Sequence, residues 1–451
     1  MNILCYLALL ILLFHPPQAL ALDASDLHTI EVKVKRVSDG DTLELDTPIS
    51  GFSHGEKIRI LGIQALEEHD DTTGIPDCNA IPATKRLGEI LGCDANDNCD
   101  PDTTVVTLKV WDETLANKGR PWRYVFFDTG NGEINIGKQL VKEGYVLAFS
   151  HPTETLYNKE VWKAQEAAMA KEIGPLWNSN ESECANGPGS GAKLKMWVNW
   201  DAPGDDTENI NGEWIKIKNT GSSAVNLSHW KLRDTGQEHH FDFPDGSLLA
   251  SGDTFTVKVG SGTNSGNTFY MGEPSPMFEN SIPEGAYLFD YWNDHDIPGE
   301  IRAAFTYPCL SNCSDPLQGK ISIKANYDAA GDDNANPNGE WVDIKNISRS
   351  DVDLEMYLLH SLPVGSATFN FDDNSVIHPG ETMRVYIGKG SSSRLKKYWG
   401  NSKSILANSK DSVWIDTYNS IEIVRYSWPE PVYKPSKGGV VIAPIIHLLG
   451  Q

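Results

Sequence analysis

Positive charge is scarce in this chain. Its 451 residues include 38 Lys and Arg against 62 Asp and Glu, a net charge of −24. That balance excludes a protein that coats nucleic acid by bulk electrostatics and confines any contact with phosphate to a local site. Long apolar runs are missing as well. Residues 3–14 are apolar but fall short of the ~20 that a helix needs to cross a membrane, and so do residues 440–449. The 12 histidines show no His-Glu-x-x-His spacing and no Gly-x-Ser-x-Gly occurs, so neither a zinc-protease helix nor a serine-hydrolase elbow is written here. Ordinary globular material is present: 39% hydrophobic residues and 39 glycines exclude a wholly disordered chain. At roughly 100–200 residues per domain, the length predicts two to four domains.

Cysteines are few, seven in all, and their placement is informative. Residues 1–21 read as an export signal: the apolar run stops at His15-Pro16-Pro17, and Ala19-Leu20-Ala21 supplies small residues around a cleavage point. Cys5 leaves with it. Cys78, Cys93, Cys99, Cys184, Cys309 and Cys313 remain, an even number in an exported chain, where disulfides persist. Short separations favour Cys93 with Cys99 and Cys309 with Cys313, which leaves Cys78 with Cys184. The expected location is periplasmic, cell-surface or extracellular. Residues 440–449 are expected to pack as a terminal strand, with no stable membrane span.

Residues 185–192 hold Gly187, Gly189 and Gly191 and little that can be buried, so they read as a linker between a mixed region and an all-β one. Before the linker, β-rich runs at 29–37, 57–63, 105–111 and 122–127 alternate with helix-like segments at 81–91, 135–143 and 156–171. After it the chain repeats. Asp201-Ala202-Pro203-Gly204-Asp205-Asp206, followed by Asn211-Gly212-Glu213-Trp214, recurs 127 residues later as Asp328-Ala329-Ala330-Gly331-Asp332-Asp333 and Asn338-Gly339-Glu340-Trp341. So long a period predicts two domains with their own cores rather than a solenoid. Ile215 and Ile217 alternate with Lys216 and Lys218, the pattern of a half-buried strand.

The Asn-Gly-Glu-Trp strand entry, the Asn219-Thr220-Gly221-Ser222 turn and Val225-Asn226-Leu227-Ser228-His229-Trp230 resemble the lamin-tail domain in its bacterial exported form. The second copy has Met356-Tyr357 where the first has His229-Trp230. The resemblance implies two immunoglobulin-like β-sandwiches, at 193–318 and 319–428, that bind or tether to an envelope or matrix ligand. A tail over 429–451 follows.

The most specific local signal is Val37-Ser38-Asp39-Gly40-Asp41-Thr42-Leu43, where a strand enters an Asp-Gly turn and leaves as another strand. Lys57-Ile58-Arg59-Ile60 carries one arginine in an apolar run, Glu67-Glu68 follows, and Asn117-Lys118-Gly119-Arg120 opens a later strand. Together these resemble the staphylococcal-nuclease (thermonuclease) family over about 29–178. The resemblance implies an oligonucleotide-binding-fold barrel with three helices, over 22–184, that hydrolyses DNA or RNA with a divalent cation, Ca2+ above all. It places Asp41 as a metal ligand, Arg59 and Arg120 on the phosphate under attack, and Glu67 beside the attacking water. Gln64 stands where the family has a second metal-binding aspartate, which removes one negative charge from the site. Glu68, Asp70 or Asp71 could supply it if their loop folds back.

The sequence therefore describes a multidomain, mainly β chain, expected to be a monomer: a barrel with three helices, then two sandwiches. An exported nuclease is the leading reading. A nuclease-like scaffold that binds without turnover is the alternative. Cys93 to Asp100 offers alternating oxygens but lacks the glycine and glutamate of a calcium loop, so a disulfide-closed polar loop is expected. The repeated Asp201 and Asp328 stretches read as solvated turns, and His239-His240 as part of a strand with one ring exposed.

Overall fold

In a computed structural model, the described residues are 26–68, 74–202, 204–292, 294–362 and 368–429. The expected export signal, Asp70, Asp71 and nearly all of the terminal tail lie outside them. Among the described residues no helix is long and apolar enough to cross a membrane. The chain divides into two compact units. One comprises the chain up to Leu194 with Asn219–Gly252 and Glu279–Ala304; the other comprises Lys195–Lys218, Asp253–Phe278 and the chain from Phe305.

The first unit is built on a closed barrel of five strands: β1 (His28–Asp39), β2 (Thr42–Leu45), β3 (Lys57–Ile60), β4 (Val105–Val110) and β5 (Arg120–Asp128). Antiparallel pairing runs β3-β2-β1-β4-β5, and β5 returns to β3 in parallel, with Arg59 opposite Trp122. The 12-residue β1 serves both halves, pairing β4 through Lys33 and β2 from Val34 onward. Alternation places Val34, Val37, Leu43, Ile58, Ile60, Val106 and Leu108 inside, all nearly fully buried. Three α-helices cover this barrel: α1 (Ala80–Leu91), α2 (Ile136–Lys142) and α3 (Asn158–Ala170). Helix α2 starts where the Asn135 side chain accepts the Lys138 N–H (3.0 Å) and stops before Gly144, which takes the left-handed conformation.

The same unit contains one sheet of the first repeat. Its strands are β8 (Lys231–Asp234), β9 (His240–Asp242), β12 (Glu284–Trp292) and β13 (Asp294–Tyr307), ordered β9-β8-β12-β13. Tyr287 and Phe289 of β12 share a buried cluster with Leu66, Ala80, Leu147 and Leu176 of the barrel region. The buried Gln165 of α3 donates to the Tyr287 hydroxyl (2.8 Å) and accepts the Ala148 N–H (2.7 Å). The glycine-rich stretch after Cys184 is also held here: the Gly189 N–H donates to buried Asp290 (2.8 Å), which also accepts from Arg302.

The second unit holds the other sheet of the first repeat, ordered β6-β7-β10-β11: β6 (Leu194–Asn199), β7 (Trp214–Asn219), β10 (Thr254–Lys258) and β11 (Thr268–Tyr270). It also holds the whole second repeat. That repeat has two four-stranded sheets, β14 (Ile321–Asn326), β15 (Trp341–Asn346), β18 (Thr382–Tyr386) and β19 (Lys396–Tyr398) in one, and β16 (Tyr357–Ser361), β17 (Thr368–Asn370), β20 (Asp411–Thr417) and β21 (Glu422–Trp428) in the other. Val342, Ile344, Val385, Leu359, Val413 and Ile415 of the two sheets form its core. The repeats agree in their polar contacts. Asn199 donates to the Gly212 carbonyl (2.6 Å) as Asn326 does to that of Gly339 (2.7 Å). His229 and Met356, the differing pair, share the left-handed conformation. Disulfides join Cys78 to Cys184, Cys93 to Cys99 and Cys309 to Cys313, the pairs expected from spacing and elimination.

Glu213 and Glu340, from the repeated Asn-Gly-Glu-Trp, are fully buried. Glu213 accepts the Met277 and Phe278 N–H groups, and Glu340 those of Ile405 and Leu406. Burial outweighs these bonds and pushes the carboxyls up to about 8 and about 7. In the unfolded chain both release their protons near ~4.3. Between that pH and about 7 to 8 the folded state binds more protons, so stability must fall as pH rises through this window. Thermal melts of the full chain should show the fall, and Glu213→Gln with Glu340→Gln should flatten it, raising Tm at pH 8 on the order of 5 °C. A double variant with the wild-type pH profile refutes the assignment.

Candidate functional site

The turn between β1 and β2 consists of Gly40 and Asp41, bracketed by the Asp39–Thr42 pair. Helix α1 lies against it so closely that a Cβ on Gly40 would sit 2.8 Å from the Ala83 Cβ and 3.0 Å from that of Ala65. This contact seats Asp41 at the barrel mouth, where it is 1% exposed. Its Oδ2 accepts the Ala65 N–H (2.8 Å), and its Oδ1 accepts from the Thr42 hydroxyl (3.1 Å). Arg59, paired with Thr42 across β2 and β3, forms an ion pair with Asp41.

The Arg59 guanidinium also donates through Nη2 to Oε1 of Gln64 (2.5 Å), whose own Nε2 donates to the Ala65 carbonyl (3.1 Å). Burial pushes Arg59 down to about 10; Asp39 opposes that shift, Arg120 adds to it and Glu67 opposes it. Arg120 begins β5 after a two-residue turn, Lys118-Gly119, with both residues left-handed. A Cβ on Gly119 would collide with the Ser53 side chain, so glycine is required for both reasons. Arg120 donates to the Thr42 hydroxyl (3.3 Å) and to Asn117 Oδ1 (2.8 Å). Thr42 thereby links the carboxylate of Asp41 to the second guanidinium.

One cleft of about 980 Å3 is lined by Asp41, Arg59, Gln64, Glu67 and Arg120 together. Glu67 is half-buried, and its backbone is fixed by reciprocal bonds with Asp77, whose N–H donates to the Glu67 carbonyl (2.8 Å). Glu68 does not line the cleft; it accepts from the Thr84 hydroxyl of α1 (2.5 Å). Asp39 lines it too, although the sequence reading assigned it no role. Burial and the nearby Glu67 carboxylate push its carboxyl up, against the pull of Arg59. Its signal was present: two positions before Asp41, at the end of the strand that leads into the turn.

Two acceptors, Asp41 Oδ1 and Gln64 Oε1, converge on the Arg59 guanidinium. They are hard oxygen donors of the kind that Ca2+ and Mg2+ take, and such ions keep water where protein ligands are few. Among the described residues no group of three or more His, Cys, Asp and Glu is placed to hold a metal. The other candidates are structural. Asp94 accepts the Asn96 and Asn98 N–H groups inside the loop closed by Cys93–Cys99, Asp205 and Asp332 accept from Thr207 and Asn334 within their turns, and His240 is the exposed one of its pair.

Both repeats match the Lamin Tail Domain family, over residues 188–297 and 316–430. The chain is also similar to Endonuclease YhcR of Bacillus subtilis (strain 168), 28% identical over 149 residues, which is 33% of this chain. It spans 11% of that protein's length. The lamin-tail matches cover the repeated strands and the Asn-Gly-Glu-Trp entries, and the first begins at Pro188, inside the glycine-rich stretch that Asp290 holds.

The close approach at Gly40 is testable. Gly40→Ala should destabilise the protein by about 1–3 kcal/mol, the usual range for overpacking, read as a lowered Tm. Ala83→Gly removes the nearest atom and should recover part of the loss in the double variant, despite its own helix cost of ~1 kcal/mol. Additive effects of the two substitutions would show that the turn does not rest on α1.

Proposed function

We propose that this protein is an exported, metal-dependent nuclease of the thermonuclease type, hydrolysing phosphodiester bonds of DNA or RNA. The observation that carries the reading is the joining of two guanidiniums to one carboxylate, Arg59 directly and Arg120 through the Thr42 hydroxyl. A pentacovalent phosphoryl transition state carries more charge on its oxygens than the diester does, and forked guanidiniums act on that difference. Glu67, held beside them, orients a water and takes its proton as the water oxygen bonds phosphorus and the ester oxygen leaves. Asp41 and Gln64 are the residues that would hold a divalent cation, Ca2+ first, which when bound supplies Lewis-acid polarisation of the phosphoryl oxygen. The similarity to an endonuclease supports the same reading. Three disulfides fit an oxidising compartment, and the lamin-tail domains would tether a monomeric enzyme to an envelope or matrix ligand.

A second reading, a scaffold that binds nucleic acid without turnover, is favoured by one feature: Gln64 in place of a carboxylate, bonded to Arg59. The two separate on the arginines. Single-stranded DNA and RNA oligonucleotides should be cleaved by the purified chain with Ca2+ and spared with chelator. Arg59→Lys and Arg120→Lys should each lower kcat by ~100- to 1000-fold while affinity changes only a few-fold, because a point charge cannot make the forked contact. Binding without cleavage would establish the scaffold. Wild-type rates in both lysine variants would remove these residues from the chemistry.

Metal binding is read separately from activity. Gln64→Asp restores one negative charge beside Asp41, so calorimetric titration with Ca2+ should show affinity rising by about tenfold or more. Unchanged affinity would mean that residue 64 does not face the ion.

A further inference from the structure

The wall of the cleft opposite the barrel comes from the lamin-tail sheet. Lys231 and Arg233 of β8, Gln237 of the following turn and His240 of β9 line the same space as Arg59 and Arg120. Arg233 is 8% exposed, with its guanidinium 4.5 Å over the Phe289 ring. Nη1 donates to Gln237 Oε1 (3.2 Å), yet Nε and Nη2 have no hydrogen-bond partner among the described residues. Nη2 forms an ion pair with Asp77 at 3.6 Å, too long for a hydrogen bond, and Asp77 also accepts the Glu67 N–H (3.4 Å). A guanidinium never gives up its charge at neutral pH, and a buried donor without an acceptor is destabilising. The ion pair with Asp77 offsets the charge but leaves two donors of a cleft-lining guanidinium unfilled, and an acceptor from outside the chain would fill them.

Gln237 ties this arginine to the barrel. It is held in the left-handed conformation, and its Nε2 donates to the Ala65 carbonyl (3.0 Å). The N–H of that same residue donates to Asp41. One residue, Ala65, thus carries the bond to Asp41 on its N–H and the bond from the lamin-tail turn on its carbonyl, and Arg233 is registered against Asp41 through three hydrogen bonds and one residue of backbone.

We propose that Arg233 is a phosphate-binding residue of the cleft, gripping a backbone phosphate of the nucleic acid that flanks the one held by Arg59 and Arg120, so that the first lamin-tail domain forms part of the substrate site. The proposal rests on the nuclease reading above. It differs from tethering in its consequence: the lamin-tail sheet acts on the strand being cut. Planar N–H pairs match phosphate oxygens, and Nε and Nη2 are such a pair.

The test uses the full chain and a 12-nucleotide oligothymidylate. Arg233→Met keeps the aliphatic stem on Phe289, and Arg233→Gln keeps a partner for Gln237; thermal melts identify whichever folds as the wild type does. The expected result is a KM raised about tenfold, kcat within threefold, and a plot of log affinity against log salt shallower by ~0.7, the contribution of one single-strand phosphate contact. Arg233→Lys should restore the salt slope and most of the affinity. A dinucleoside monophosphate, which has no flanking phosphate, should show no change in KM. If wild type binds and cleaves while the folded neutral variants keep its KM and slope, the Arg233 assignment falls and the nuclease reading stands. A wild type that neither binds nor cleaves overturns both.

Discussion

Burial of the Arg59 guanidinium at the barrel mouth is the constraint around which the cleft is organised. A cation with 7% exposure must be surrounded by acceptors or it destabilises the fold. Asp41 and Gln64 supply them directly, and Asp39 and Glu67 hold the charge from further out. Each acceptor then needs fixing. The Gly40-Asp41 turn is pressed onto α1, the Ala65 N–H holds Asp41, and the Gln64 amide folds back on the Ala65 carbonyl. Parallel closure of β5 onto β3 brings Trp122 opposite Arg59, and the β5 strand so placed starts with Arg120. The guanidinium pair is thus a product of barrel closure, and the carboxylates are what make its burial tolerable.

The lamin-tail repeats solve a different problem with the same means. Where the Trp214–Asn219 and Trp341–Asn346 strands end the chain turns, and a buried asparagine satisfies backbone carbonyls there. Asn219 donates to the Ser223 and Leu249 carbonyls as Asn346 does to those of Ser350 and Ile377. Asn211 and Asn338 reach across to the Ser261 and Lys389 carbonyls. These bonds explain why the repeat is most recognisable at Asn, Gly and Glu rather than at its hydrophobic positions. Apolar residues exchange freely within a strand as long as volume is kept, whereas a buried amide bridging two carbonyls has no substitute of the same geometry.

Local physics made much of this legible beforehand. The helix signals at 81–91, 135–143 and 156–171 match α1, α2 and α3 to within two residues at each end, because caps, the glycine at 144 and apolar spacing act over one turn. The Asp-Gly dipeptide likewise announced the turn after β1, which falls one residue later, on Gly40-Asp41, and Lys118-Gly119 announced the turn opening β5. What escaped is what tertiary closure decides. Asp39 carried the right chemistry in the right motif, but its face became known only once Glu67 and Arg59 were seen beside it. Arg233 and Gln237 lie in a repeat that read as a separate domain, some 170 residues beyond Ala65. No periodicity in β8 distinguishes a guanidinium that faces solvent from one that faces a cleft lined by another element. Glycine-rich composition at 185–191 signalled freedom, while the buried Asp290 that removes it comes 101 positions after Gly189.

The charge distribution gives these contacts their meaning. Over the whole chain carboxylates exceed cations by 24, yet the cleft lining holds six of each, with Lys57, Lys118, Lys231 and Arg233 joining Arg59 and Arg120. A polyanion therefore meets repulsion on approach, over a range of ~10 Å at 0.1 M salt, and a balanced field only inside. Added salt acts in two directions in such a molecule: it weakens the few contacts in the cleft, and it screens the acidic surface that opposes entry. A strongly basic groove would bind any nucleic acid along its length. Under the proposed nuclease reading, an acidic protein with a balanced cleft instead gains nothing from distant phosphates, and its grip would depend on how many cations converge on the nucleic acid at that place. Two of the six, Lys231 and Arg233, come from the lamin-tail sheet. The barrel alone would present four cations against five carboxylates, since Glu238 is the lamin-tail sheet's one acidic contribution. Joining the sheet to the barrel is what brings the cleft to neutrality.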